Sequence, residues 1–235
     1  IRPAALLIDT IFSSDGVLCA PGGELAQAAA LVRQAGGLFI ADEVQPGFGR
    51  TGESMWGFVR HGVVPDLVSL GKPMGNGHPI AGLVGRSALF DAFGRDVRYF
   101  NTFGGNPVSC QAAHAVLRVI REEQLQQNAQ RVGHYLQQGL QQLAQDFPLI
   151  GDIRAYGLFI GVDLVSDRES KAPATESALQ VVNAMRQRGV LISATGPTAN
   201  VLKVRPPLVF QEEHADVFLT TLSDVLKVID TRTWE

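Results

Sequence analysis

The stretch that decides the fold runs Leu38-Phe39-Ile40-Ala41-Asp42-Glu43-Val44-Gln45-Pro46-Gly47-Phe48-Gly49-Arg50-Thr51-Gly52. Four apolar residues in a row, closed by an acidic pair and then by glycines, read as a buried strand whose carboxyl end opens into a loop. The pattern repeats outward from there. Upstream, Leu6 to Ile11 reads as another buried strand, and Glu24 to Ala35 has helical spacing that stops at Gly36-Gly37. Downstream, Asp66-Leu67-Val68-Ser69-Leu70 is a third buried strand and Ile80 to Gly85 a fourth. Continuous apolar strands separated by helix-length segments predict an α/β domain with a parallel sheet covered on both faces.

A long helical region follows. Asn106 stands at the N-cap and Pro107 at the first helical position, and Val108, Ala112, Ala115, Val116, Val119 and Ile120 recur at core-facing spacing. Leu125, Val132, Leu136, Leu140 and Leu143 carry the stripe onward, and the glutamines between Gln124 and Gln145 read as a solvated helix face. After Pro148 the texture changes. Asp152 to Leu164 reads as a strand within a hairpin, Ala174 to Arg188 as a helix closed by Gly189, Val190 to Ser193 and Val201 to Val204 as strands, and Glu212 to Ile229 as a final helix. The expected division is therefore residues 1–147, an α/β part with its long connecting helix, and residues 148–235, a small α+β domain.

Composition excludes several classes. A formal net charge of −3 over 235 residues offers no electrostatic attraction to nucleic acid or an anionic membrane surface. No apolar run approaches the roughly 18–20 residues that span a bilayer. Two cysteines, Cys19 and Cys110, are too few for a disulfide framework or a zinc site. They read as free thiols in a reducing cytoplasm, with Cys110 a buried one near the start of a helix. His61, His78, His114, His134 and His214 are dispersed, so no metal is expected. The chain opens directly on a strand, with no charged segment and apolar run of a signal peptide, and is expected to continue a longer protein upstream.

The glycines contain a trap. Gly47, Gly49 and Gly52 satisfy G-x-G-x-x-G, the dinucleotide-binding pattern. That pattern needs its glycines directly after the strand and a full helix directly behind them. Here two acids and a proline intervene, only Glu53 to Arg60 is available for a short helix, and a carboxylate pair would repel a pyrophosphate. Arg50 reads as an ion-pair or loop residue. Lys72 is the better candidate. It follows a strand, stands between Gly71 and Pro73, and is expected to be a partly desolvated amine able to condense with an aldehyde. Asp42, at the end of another strand, is placed to face it across the carboxyl edge of the sheet. Pyridoxal phosphate chemistry needs such a pair: a lysine that holds the aldehyde and moves protons, and a carboxylate that keeps the pyridine nitrogen protonated so that the ring accepts electrons.

Together these blocks resemble the class-III pyridoxal-phosphate-dependent aminotransferases. The similarity runs from Ile40–Gly52 through Pro65-Asp66-Leu67-Val68-Ser69-Leu70-Gly71-Lys72, Gly77-His78-Pro79-Ile80 and Asn101-Thr102-Phe103-Gly104-Gly105-Asn106-Pro107 to Gly151-Asp152-Ile153-Arg154, Gly157-Leu158 and Arg205-Pro206-Pro207-Leu208. The resemblance implies fold type I, this chain supplying part of the large parallel-sheet domain plus the C-terminal α+β domain. It implies that Lys72 carries pyridoxal 5'-phosphate as a Schiff base and that Asp42 partners the pyridine nitrogen. Val44 then packs under the ring, Gln45 bonds its phenolic oxygen, and Thr102 binds the phosphate across a dimer interface. The active sites would thus be shared within a homodimer, and the upstream half would hold a phosphate loop and the aromatic ring that stacks on the cofactor.

Two positions depart from the usual amino-acid pattern. Many members bind the substrate carboxylate with an arginine three residues before the Pro-Pro pair, gated by a glutamate; here those positions hold Lys203 and Ser14, and Arg205 stands just before Pro206. Lysine is not a bidentate substitute. Arg205 is expected on the strand face opposite Lys203. The wording from Gly157 to Leu164 and from Asn200 to Lys203 resembles the alanine–glyoxylate aminotransferase-2-like subgroup, which includes phospho-lyases. The expected function is transfer of an amino group from an amine or amino acid to a 2-oxo acid or glyoxylate. The alternatives are elimination of phosphate from phosphoethanolamine-like substrates, or a non-catalytic remnant of the fold.

Overall fold

The computed structural model describes residues 2–18 and 23–232 of the chain; Cys19 lies outside them. The described residues pack as two units. The first draws on Ile1–Ile11, Cys19–Gly49 and Ser54–Gln124, and the second on Phe12–Leu18, Arg50–Glu53 and Leu125–Glu235.

The first unit is built on a four-stranded sheet. Its strands are β1 (Ala5–Asp9), β2 (Leu38–Asp42), β3 (Leu67–Leu70) and β4 (Gly82–Gly85), hydrogen-bonded in that order. β1, β2 and β3 run parallel, with Asp9 beside Asp42 and Asp42 beside Ser69. β4 runs antiparallel to β3, which corrects the all-parallel expectation. The cause is local. A parallel return needs a crossover of about a dozen residues, usually a helix, whereas the chain from Gly71 to β4 contains only a 3-10 turn, Lys72–Gly75.

Helix α1 (Glu24–Gln34) covers the sheet and ends where Gly36 takes a φ of 87°. Ala29, Val32, Phe39, Ala41 and Val63 form the core beneath it, with Leu6, Ile8, Ala26 and Phe58 at its margin. β1 is less buried than its apolar run suggests: Leu7 is 62% exposed. Asp66 ties α1 to the sheet, accepting from the Phe39 N–H at 2.9 Å, from Arg33 Nε at 3.0 Å and from Arg86. α2 (Ser87–Asp96) and α3 (Pro107–Glu122) complete the unit. Asn106 caps α3, accepting from the Ser109 N–H at 3.0 Å. The α3 face that is buried carries Ser109, Ala113 and Ile120, while Val108 is 70% exposed, so the buried stripe is rotated from the expected one.

The long helical region is two helices, not one. Gln124 adopts a φ of 51°, and α4 (Leu125–Asp146) starts afresh behind it. α4 lays Leu125, Ala129, Val132, Leu136 and Leu140 against β5 (Ile150–Tyr156) and α6 (Glu212–Arg232). By packing, this helix belongs with the second unit, whose last segment begins at Leu125.

The second unit continues with β6 (Phe159–Asp167), the short β7 (Ala172–Pro173), α5 (Thr175–Gln187), β8 (Ser193–Thr195) and β9 (Val201–Val204). β5 and β6 form an antiparallel hairpin, and the sheet order is β5-β6-β9-β8 with β7 on β6. Its core joins Leu136, Ile160, Val162, Val181, Leu202 and Leu222 among others. Gly133 of α4 lies so close to the Gly157 backbone of the hairpin turn that a Cβ there would overlap it. Arg154 brings the Phe12–Leu18 piece onto this unit, donating to the Gly16 carbonyl at 2.9 and 3.1 Å. Among the described residues no helix is long and apolar enough to cross a membrane.

Candidate active site

Both site strands end at one edge of the first sheet. Asp42 is the last residue of β2, half-buried, and in register with Ser69, three residues before Lys72. Its Oδ1 accepts from the Val44 N–H at 3.0 Å and from Ser69 Oγ at 3.2 Å. Among the described residues Oδ2 accepts no hydrogen bond. One oxygen thus fixes the carboxylate, and the other is open to a ligand N–H. Asp9 stands beside Asp42 in the β1–β2 register, so the edge is acidic and favours a protonated nitrogen over a neutral one.

Lys72 follows β3 through Gly71, whose φ of −175° is extended. The lysine itself is strained, with a φ of 37° that L-residues rarely adopt. The loop fixes this conformation: Met74 N–H donates to the Gly71 carbonyl at 2.9 Å, and Asn76 and Gly77 turn the chain with φ values of 45° and 100°. His78 Nε2 lies 2.8 Å from Ser109 Oγ, joining the lysine loop to the start of α3. Contrary to the expectation of partial desolvation, the Lys72 side chain is exposed. Val44 is half-buried, and its side chain faces Gly71, with methyls 3.7–3.8 Å from where a Cβ would sit.

Gln45 is half-buried in the turn that follows Asp42. Gly47 sits in the same turn, and a Cβ there would approach the Glu43 carbonyl oxygen to 2.6 Å. These glycines serve tight turns, and only a 3-10 turn, Gly57–His61, follows them, so no dinucleotide-binding helix stands behind the motif. Thr102 is exposed in a loop where Asn101 Oδ1 accepts from the Phe103 and Gly104 N–H groups at 3.1 and 2.9 Å. The first unit therefore carries Asp42, Val44, Gln45, Lys72 and Thr102 together, with the first four on adjoining strand ends and turns.

The remaining candidates lie in the second unit. Lys203, on β9, holds its Nζ 5.3 Å from the centre of the Phe159 ring. Lys203 and Arg205 line one cavity of about 530 Å3 with Ile192, Ser193, Phe210 and His214. That corrects the expectation of opposite faces: residues two apart on a strand share a face. Ser14 is exposed, and its carbonyl accepts from Thr195 Oγ at 2.8 Å. Arg50 donates to the carbonyls of Leu158 and Pro206 at 3.1 and 2.7 Å, a loop clamp rather than an ion pair. Its burial, aided by the nearby charge of Arg205, lowers its pKa to about 10. Cys110 is exposed, not buried as expected, and unpaired.

Three polar groups take their place at the site only through the fold. Ser69 supports Asp42 and was readable only with the strand register in hand. The contact of His78 with Ser109 joins segments distant in sequence. Glu43 is half of an acidic pair in the sequence, and its partners come from distant segments. It is fully buried, and its Oε1 accepts from Thr10 Oγ at 3.0 Å and the Phe58 N–H at 2.8 Å, its Oε2 from the Gly57 N–H at 2.7 Å.

Residues 2–226 match the model of the class-III aminotransferases. The chain is 46% identical over 228 residues to a Drosophila melanogaster protein named alanine--glyoxylate aminotransferase 2-like, covering 96% of this chain and 46% of that relative. It is 41% identical over 230 residues to ethanolamine-phosphate phospho-lyase homolog 1 of Caenorhabditis elegans, covering 97% of this chain and 49% of that protein. Among solved structures, a phospholyase from Arthrobacter in complex with phosphoethanolamine superposes with a TM-score of 0.92 at 48% identity, over 95% of this chain and 53% of that one. The chain spans about half the length of the relatives it matches.

Proposed function

This chain belongs to the class-III aminotransferases and has their fold, and from that premise we propose that the full protein is a pyridoxal-phosphate-dependent transaminase with Lys72 and Asp42 at its centre. The observation that carries the reading is an Asp42 carboxylate with Oδ2 open, in register with Ser69 three residues before Lys72. The residues present fit the cofactor: an anchored carboxylate with one free oxygen, an accessible amine, and a β-branched side chain beside the lysine loop. Bound there, pyridoxal phosphate supplies an aldehyde that condenses with amines and a ring that withdraws electrons from the substrate Cα.

The work of the chain's own residues follows. Asp42 Oδ2 would accept the pyridine N–H and hold its proton in place. Lys72 Nζ would hold the cofactor and, once displaced by the substrate amine, take the Cα proton and deliver it elsewhere. Val44 would support the ring, Gln45 would bond its phenolic oxygen, and Thr102 would bind the phosphate of the partner subunit's site. The homodimer that this requires is supported by the aromatic surface beside Thr102, where Tyr99, Phe100 and Phe103 are 68%, 84% and 79% exposed. The substrates we assign are an amine or amino acid and an oxo acid such as glyoxylate, and the compartment is the cytoplasm, in keeping with the unpaired Cys110.

A second reading, elimination of phosphate from a phosphoethanolamine-like amine, is favoured by two observations. Lys203 stands where the resemblance implies a carboxylate-binding arginine, and relatives named as phospho-lyases match across nearly the whole chain. Both readings share removal of the Cα proton. One experiment separates them: the full-length protein with pyridoxal phosphate is given phosphoethanolamine, or an amino donor with glyoxylate, and its visible band, free phosphate and amino product are followed. Glycine formed without phosphate supports transamination. Phosphate released from phosphoethanolamine moves the assignment to the lyase. No visible band in the full-length protein contradicts both.

A further inference from the structure

Resting on the reading above, we propose that Glu43 is a positioning residue whose fully buried carboxylate fixes the carboxyl end of β2 and so holds the Asp42 carboxylate in place. Asp42 and Glu43 are consecutive, so they project to opposite faces of the strand end. Asp42 offers its open oxygen on one face. On the other, Glu43 gathers three donors from two other segments: the Thr10 hydroxyl just beyond β1, and the Gly57 and Phe58 N–H groups that begin the 3-10 turn. Its own N–H extends the ladder to β3, donating to the Ser69 carbonyl at 3.0 Å.

The arrangement is closed on itself. His61, buried in the same turn, sets its Nε2 2.7 Å from the Thr10 carbonyl. Gly57 has to be glycine, because a Cβ there would come within 2.5 Å of Thr10 Oγ1 and 2.7 Å of Pro46 Cβ. Among the described residues no cation pairs with Glu43, and the like-signed charge of Asp9 acts on it. Burial pushes the Glu43 carboxyl up from its ordinary range, and the Gly57, Phe58 and Thr10 hydrogen bonds oppose that shift. Burying a carboxylate without a cation is costly. If packing were the only requirement, an apolar side chain would meet it more cheaply. The return is geometric: the end of β2, which would otherwise fray, is pinned on both sides one residue from the group that must meet the cofactor.

Glu43→Gln is an informative change. Both Glu43 oxygens accept from backbone N–H groups, so the amide must point an N–H at a donor wherever it is placed. Thr10→Val removes only the side-chain donor and leaves the backbone contacts. The test uses the full-length protein and reads three quantities: the Kd for pyridoxal phosphate, the pH midpoint of the bound cofactor's visible band, and the Tm without cofactor. Glu43→Gln is expected to weaken binding about tenfold and to move the midpoint, and Thr10→Val to do the same to a smaller degree. A Glu43→Gln protein with a lower Tm but wild-type Kd and midpoint overturns the inference, since Glu43 is then structural only. If that variant does not fold, unchanged Kd and midpoint in Thr10→Val overturn it. Wild-type protein that takes no cofactor overturns the functional reading, and this inference with it; wild-type protein that binds beside unmoved variants overturns this inference alone.

Discussion

Lys72 and Asp42 divide the proposed chemistry between two single side chains. Lys72 holds a strained backbone conformation, and Asp42 uses one oxygen for anchorage and leaves the other open. Asp42→Asn keeps the side chain's shape and its bond from Val44 but removes the charge. We expect it to retain cofactor while slowing substrate turnover at least about a hundredfold, as loss of a well-placed charge or proton-transfer group does; single-turnover absorbance changes measure this, and a wild-type rate would remove Asp42 from the mechanism. Both residues were legible in the sequence, because an acid closing an apolar run and a lysine between glycine and proline are local signals. The supports were not. Ser69, Thr10 and His78 gain meaning only when strand register or a distant loop brings them to their partners. The exposure of Lys72 was also missed, since burial depends on everything packed around a residue rather than on its neighbours in sequence.

At the scale of elements, apolar runs located the strands well but misjudged direction and burial. β4 was read as one more parallel strand, and its antiparallel course follows from the lack of a crossover helix after Lys72. Helix α4 was legible as a stripe of leucines, whereas the break before it depends on the single backbone turn at Gln124. Two predictions belong here. Asp66 joins α1, β2 and the strand that leads to Lys72. Burial alone would raise its pKa, but the Phe39 N–H, the Arg33 hydrogen bond and charge, and the charge of Arg86 hold it below the ordinary 3.8. Its stabilising contribution is therefore present above pH 3.8 and lost as pH falls through the lower folded value. Asp66→Asn should lower stability by about 1–2 kcal/mol at neutral pH and flatten the acid side of a Tm-against-pH curve; an unchanged acid limb would show that other carboxylates set it. Gly133→Ala should destabilise by about 1–3 kcal/mol through overpacking against the Gly157 backbone, read from the denaturant midpoint. A neutral result would mean that the hairpin turn yields.

At the scale of the whole molecule, the chain spans about half of its relatives' length, and the active site we propose draws on two copies of the full protein. The aromatic surface around Phe100 and Phe103 is the feature that a subunit interface would cover. Phe100→Asp in the full-length protein should shift sedimentation toward monomer and weaken cofactor binding in parallel; a variant that stays dimeric would place the interface elsewhere. The family could be read from the sequence because its motifs are contiguous, while the choice between transamination and phosphate elimination could not. Borohydride reduction of the full-length protein loaded with pyridoxal phosphate, followed by mass spectrometry of its peptides, tests directly whether Lys72 holds the cofactor. A stable phosphopyridoxyl group is expected on the peptide carrying Lys72, absent in Lys72→Ala. Labelling of a different lysine, or no labelling of a cofactor-saturated protein, would contradict this.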